Sequence, residues 1–169
     1  MDPYEGFREF VLARGPALSR AAYLLTGNRT QAEELVQAAL VKAAVRWRRL
    51  STGGNPEAYV RKIMVNDHIS WWRRFARREL PETSAREQAV HDQSDRTAQR
   101  IDLAAALAKL PARQRAVIVL RFYQDLSEAE TAAAMGCAVG TVKSQTSDAL
   151  AKLRRLIHTG ADETVEVGK

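Results

Sequence analysis

One cysteine, Cys137, stands among 169 residues, which excludes an internal disulfide and any zinc site built on paired cysteines. The three histidines, His68, His91 and His158, have no metal-ligand spacing and read as ordinary surface or partly buried side chains. No convergent cluster of His, Cys or carboxylates offers a catalytic centre, so neither an enzyme, a metal site nor a cofactor is expected. No stretch approaches the roughly 18 apolar residues of a membrane span, and "MDPYEGFREF" has neither a basic region nor an apolar run of the secretory kind. The expectation is a soluble chain acting in the cytoplasm without membrane insertion. Nucleotide-binding glycine patterns and internal repeats are missing too, and no run of alternating β-branched residues marks a strand.

What is present is enough apolar residue, 46%, for a real core, and a formal charge of +6 with a pI near 9.8 that favours an anionic partner. The charge is uneven: residues 1–80 hold 14 Lys/Arg against 8 Asp/Glu, residues 81–98 hold 2 against 4, and residues 99–169 hold 10 against 8. The middle stretch, within "PETSAREQAVHDQSDRT", has almost no large apolar side chain to offset its ordering entropy and reads as a linker over 81–98. Two small all-α domains are expected, at 1–80 and 99–158, with a disordered tail over 159–169.

In the first domain Phe7, Phe10, Val11, Leu18, Tyr23 and Leu24 recur at helical spacing, Gly15-Pro16 marks a break, and "TGN" closes the segment. Thr30 with Glu33 forms a capping box for the next helix, whose stripe of Leu35, Val36, Ala39, Leu40, Ala43 and Trp47 is wider than a three-helix core requires. Pro56 opens a third helix running to about Arg78. That helix mixes Tyr59, Trp71, Trp72 and Phe75 with Arg61, Lys62, Arg73, Arg74, Arg77 and Arg78, the pairing of aromatic faces and cations that holds unpaired bases and their phosphates. Neighbours on a helix point about 100° apart, so one of Trp71 and Trp72 is mostly buried. Asn66 is either a base reader or a packing hydrogen bond.

In the second domain Leu103, Leu107 and Leu110 form a short helix stopped by Pro111, and "ARQRAVIVLRFY" runs to a break at Gln124-Asp125. Ser127 and Glu130 form a capping box, Gly136 permits the left-handed turn that ends that helix, and a longer helix begins near Val139. This is a helix-turn-helix pattern. On the last helix Val142, Ala149, Leu150 and Leu153 share one face, while Thr141, Ser144, Ser147, Asp148 and Arg155 lie opposite, where short hydroxyls and Lys143 suit base edges in a major groove.

These residues resemble a known family. "LPARQR", "LSEAE", "GTVKS" and "ALAKLR", spanning Leu110 to Arg154, are similar to the −35-binding domain of extracytoplasmic-function (ECF) sigma factors of the sigma-70 superfamily. "AEELVQAALVKAAVRW" is similar to the sigma-factor helix that binds the polymerase clamp, and "AYVRKIMVNDHISWWRR" resembles the −10-opening helix in its actinobacterial, SigE-type form. The resemblance implies a region 2-like bundle and a region 4-like helix-turn-helix, with core RNA polymerase (β′ clamp and β flap) and promoter DNA as partners and room for an anti-sigma factor. It places Leu35, Val36, Gln37, Leu40 and Lys42 at the polymerase. It places Asn55, Tyr59, Lys62, Asn66, Trp71, Trp72, Arg73 and Arg74 at the −10 element, and Thr141, Lys143, Ser144, Gln145, Ser147, Arg154 and Arg155 at the −35 element. A helix-turn-helix regulator acting without the polymerase is the alternative. Four residues depart from the pattern: Ala38 for Glu, Ala138 for the Ser that would cap the last helix, Asp67 on the −10 helix, and Asp148 where relatives carry Arg.

Overall fold

The computed structural model describes residues 2–76 and 103–162. The segment read as a linker (81–98) and the last residues of the tail lie outside the described residues. The first half consists of α1 (Phe7–Thr26), α2 (Arg29–Val45), α3 (Trp47–Ser51) and α4 (Pro56–Ala76). Small residues let these helices approach closely: Leu18, Ala21, Ala22 and Leu25 of α1 are buried with Ala32, Val36, Ala39 and Ala43 of α2 and Val60, Met64 and Val65 of α4. Trp47 pins the start of the chain, donating from Nε1 to the Glu5 carbonyl at 2.7 Å and taking Phe7 edge-on at 5.1 Å.

Two local expectations are corrected. α1 runs unbroken through Pro16. The ring leaves the Leu12 carbonyl without its helical donor, but Leu12 is 68% exposed, so water can serve it. The cap of α2 is Asn28, not Thr30: Asn28 has the extended backbone a cap needs and accepts from the Gln31 N–H at 3.0 Å. Thr30 is already helical, and Glu33 pairs with Arg29 at 3.5 Å instead.

The second half comprises α5 (103–108), α6 (Ala112–Ile118), a π-helical turn (Val119–Tyr123) that the sequence pattern did not announce, α7 (Glu128–Met135) and α8 (Val139–Asp162). The capping box is present, with Glu130 N–H to Ser127 Oγ at 3.1 Å and Ser127 N–H to Glu130 Oε2 at 2.7 Å. Those bonds hold the Glu130 carboxyl below its ordinary value. Gly136, at φ 65°, makes the left-handed turn into α8, a conformation a side chain would strain. α8 extends to Asp162, four residues into the stretch expected to be disordered. No strand occurs among the described residues. The halves touch, with α6 and α7 lying on α4.

Candidate nucleic-acid interface

α8 is sorted by burial. Val142 and Ala149 are fully buried and Leu153 nearly so, which leaves Lys143, Ser144, Ser147, Asp148, Arg154 and Arg155 exposed, with Thr141 and Gln145 half-buried. The N-terminal turn is held by the Ala138 carbonyl, which accepts from Thr141 and Val142 N–H at 3.0 and 3.2 Å. The alanine side chain adds no cap. Ser144 Oγ donates back to the Thr141 carbonyl at 3.1 Å. Lys143 Nζ leans toward Glu128 Oε2 at 3.8 Å, a carboxylate also 3.9 Å from Arg121. Such exposed pairs are weak, so a phosphate can take Lys143 over.

α4 presents two faces. Tyr59, Lys62, Asn66 and Arg73 fall within about 60° of one another around the helix, whereas Arg61, Val65, His68 and Trp72 form a separate row. The predicted −10 set is therefore divided. Lys62 and Arg73 are exposed, Asn66 is half-buried, and Tyr59 lies half-buried beneath the Arg46 guanidinium at 5.9 Å. Arg74 is exposed, with Nε donating to the Ser70 carbonyl at 3.4 Å. Trp72 belongs to the other row, where Arg115 of the second half lies over its ring at 5.3 Å and Trp71 meets it edge-on at 5.3 Å. Asn55 caps α4, its side chain accepting from the Ala58 N–H at 3.0 Å.

Sequence reasoning missed the cations where α2 ends, one of which, Arg46, lies over Tyr59. Arg46, Arg48 and Arg49, with Val45 and Thr52, line a shallow depression where α2 gives way to α3. The run "RWRRL" was the available signal. Nearby, a Cβ on Gly54 would lie 3.0 Å from the Leu50 backbone, a contact tighter than nearly all real ones, so a side chain there would press on the end of α3.

On α2, Gln37 is exposed, Leu35 and Leu40 are half-buried against the core, and Val36 is buried within it. Lys42 Nζ lies 2.7 Å from Asp67 Oδ2 on α4, which accounts for the unexpected carboxylate on that helix. The large apolar side chains that α2 does expose are Val41 and Val45.

Between the halves His68 is 2% exposed, and burial, followed by the nearby Arg115 charge, pushes its pKa down to about 3. Burial lowers the pKa of Arg115 to about 10, so it stays charged at neutral pH. Among the described residues no group of three or more His, Cys, Asp or Glu could hold a metal ion, and no helix is long and apolar enough to cross a membrane.

Known proteins share this arrangement. The family model for Sigma-70 region 2 matches residues 10–79, and that for Sigma-70, region 4, matches residues 100–153. The chain is 38% identical over 148 residues to the RNA polymerase sigma-E factor of Streptomyces avermitilis, covering 88% of this chain and 83% of that protein. It is 32% identical over 169 residues to the ECF RNA polymerase sigma factor EcfG of Rhodopseudomonas palustris, covering 95% and 93%. Among solved structures, the sigma factor RpoE of Bartonella quintana, crystallised with the anti-sigma factor NepR, superposes with a TM-score of 0.71 at 32% identity, covering 90% of this chain and 96% of that one.

Proposed function

The chain belongs to the extracytoplasmic-function RNA polymerase sigma factors of the sigma-70 family, and on that premise we propose that it binds core RNA polymerase in the cytoplasm and directs it to promoters. The observation that carries this is the presence, in one chain, of two polar surfaces of different shape, each suited to a different form of nucleic acid. α8 offers a helix face of small hydroxyls and cations opposite its buried Val142, Ala149 and Leu153, a shape for a duplex major groove. α4 offers Tyr59, Lys62, Asn66 and Arg73 on one face, and Arg46, which lines a depression with Arg48 and Arg49, lies over the Tyr59 ring; aromatic and cations together suit an unpaired strand.

In this reading α8 grips the −35 duplex through Thr141, Ser144, Gln145 and Ser147, with Lys143, Arg154 and Arg155 on phosphates. The first half captures −10 bases as they unstack, each stacking contact contributing roughly 1–3 kcal/mol. No covalent step is asked of the protein. Gln37, Lys42 and the exposed edges of Leu35 and Leu40 face the β′ clamp, with Val36 supporting them from within, and the helix-turn-helix half meets the β flap. An anti-sigma factor is a further partner by analogy with RpoE, which was crystallised with one. Asn66→Ala tests the opening role: permanganate reactivity of the −10 strand should fall at least tenfold on duplex promoters and recover on pre-melted templates. Equal loss on both templates would count against Asn66 as an opening residue.

A further inference from the structure

The first turn of α7 holds a carboxylate that its cap does not use. Ser127 and Glu130 exchange the two capping bonds between themselves, at 3.1 and 2.7 Å. Glu128, the first residue of the helix, makes no side-chain hydrogen bond among the described residues. Its oxygens lie instead between two cations: Oε1 is 3.9 Å from Arg121 Nη2 and Oε2 is 3.8 Å from Lys143 Nζ. Both distances are too long for a hydrogen bond, so charge alone links the three groups.

The two cations are not equivalent. Arg121 is anchored: Nη1 donates to the Leu126 carbonyl at 2.6 Å, and the guanidinium lies over the Phe122 ring at 5.9 Å. Its side chain is 25% exposed, whereas that of Lys143 is 64% exposed and ends a flexible stem. Lys143 can leave the carboxylate without breaking a hydrogen bond, and Arg121 cannot leave it without giving up the Leu126 carbonyl.

Lys143 stands in the N-terminal part of the exposed face of α8, and in a helix-turn-helix the first helix crosses the DNA backbone beside that face. A phosphate arriving there must take Lys143 from Glu128, and the carboxylate left behind repels it. We propose that Glu128 sets the strength of the sequence-independent grip of the −35 surface by competing with a DNA phosphate for Lys143. This rests on the reading of α8 as the −35 helix. A residue in this role reads no base. It weakens binding to every sequence by a similar factor and leaves the hydroxyl face of α8 to discriminate among them.

A double-mutant cycle in the full chain tests the competition, with Glu128→Gln, Lys143→Ala and the two together titrated against fluorescent duplexes of varied sequence at two salt concentrations. Glutamine keeps the shape and removes the charge, and other residues make the cap, so the helical circular dichroism should not change. Glu128→Gln should tighten every duplex by a similar factor, roughly two- to fivefold, the range of an exposed ion pair. It should also steepen the salt dependence by up to about one unit of slope. Lys143→Ala should weaken every duplex, and in that background Glu128→Gln should lose most of its gain. Unchanged or weaker binding by Glu128→Gln would overturn the proposal, as would a gain kept in full without Lys143 or a changed order of preference among the duplexes. If Lys143→Ala itself binds like the unaltered chain, the placing of Lys143 on a phosphate falls as well, which tells a failure of the −35 reading from a failure of Glu128 alone.

Discussion

His68 and Arg115 meet at the seam, and neither behaves as its sequence position foretold. His68 read as an ordinary surface or partly buried histidine, yet it is among the most buried polar residues, and Arg115 of the other half lies near enough to disfavour its charged form. Arg115 was legible only as the last residue of "LPARQR". Long-range burial leaves no local periodicity to read. His68 gives a pH dependence whose sign is fixed. Its folded pKa, about 3, lies below the unfolded value of 6.5, so between these the unfolded chain binds the extra proton. Stability from this residue is fully present above pH 6.5 and is lost as pH falls toward 3. Each unit below 6.5 removes about 1.4 kcal/mol. The urea midpoint at pH 5.5 should therefore fall further relative to pH 7.5 in the native sequence than in His68→Gln, where this contribution is missing. Equal falls would mean that the imidazole is not buried neutral.

The elements that carry their own punctuation were readable in advance. α7 is bounded by Ser127, Glu130 and Gly136, and all three act as their residue types dictate. α2 misled because Asn28 and Thr30 both offer a cap and only backbone geometry chooses between them. The π-helical turn at Val119–Tyr123 followed from packing and from no local signal. For α8 the amphipathic division was legible in outline, with Val142, Ala149 and Leu153 buried and Asp148 exposed as expected, while Thr141 and Leu150 are both half-buried. In the proposed reading of α8 as the −35 helix, a carboxylate there would face phosphates unless it accepted from a cytosine amino group. Asp148→Arg should tighten binding of the full chain to every −35 duplex tested and steepen the salt dependence by about one unit of slope. Fluorescence anisotropy across a duplex library at two salt concentrations reads both effects. Weakening by roughly 1–3 kcal/mol with a changed preference at one base would assign Asp148 to base reading instead. Identical binding at both salts would remove this face from the DNA.

At the scale of the whole molecule, the charge map and the apolar-poor stretch pointed to two helical halves, and two family regions match, one at residues 10–79 and one at 100–153. Their mutual contact was not readable: it is made by Arg20, Leu25, His68 and Trp72 against Arg115 and Tyr123, residues that separately look like surface cations, core and nucleic-acid contacts. Each half alone resembles a common helical module, and the function lies in having both on one chain. The most direct measurement is run-off transcription with purified core RNA polymerase on a promoter library, with the 5′ ends sequenced. Adding this protein should produce initiation at discrete sites that share upstream −35 and −10 sequences and that core polymerase alone does not use. Transcripts with the same scattered ends with and without the protein would contradict its role as a sigma factor.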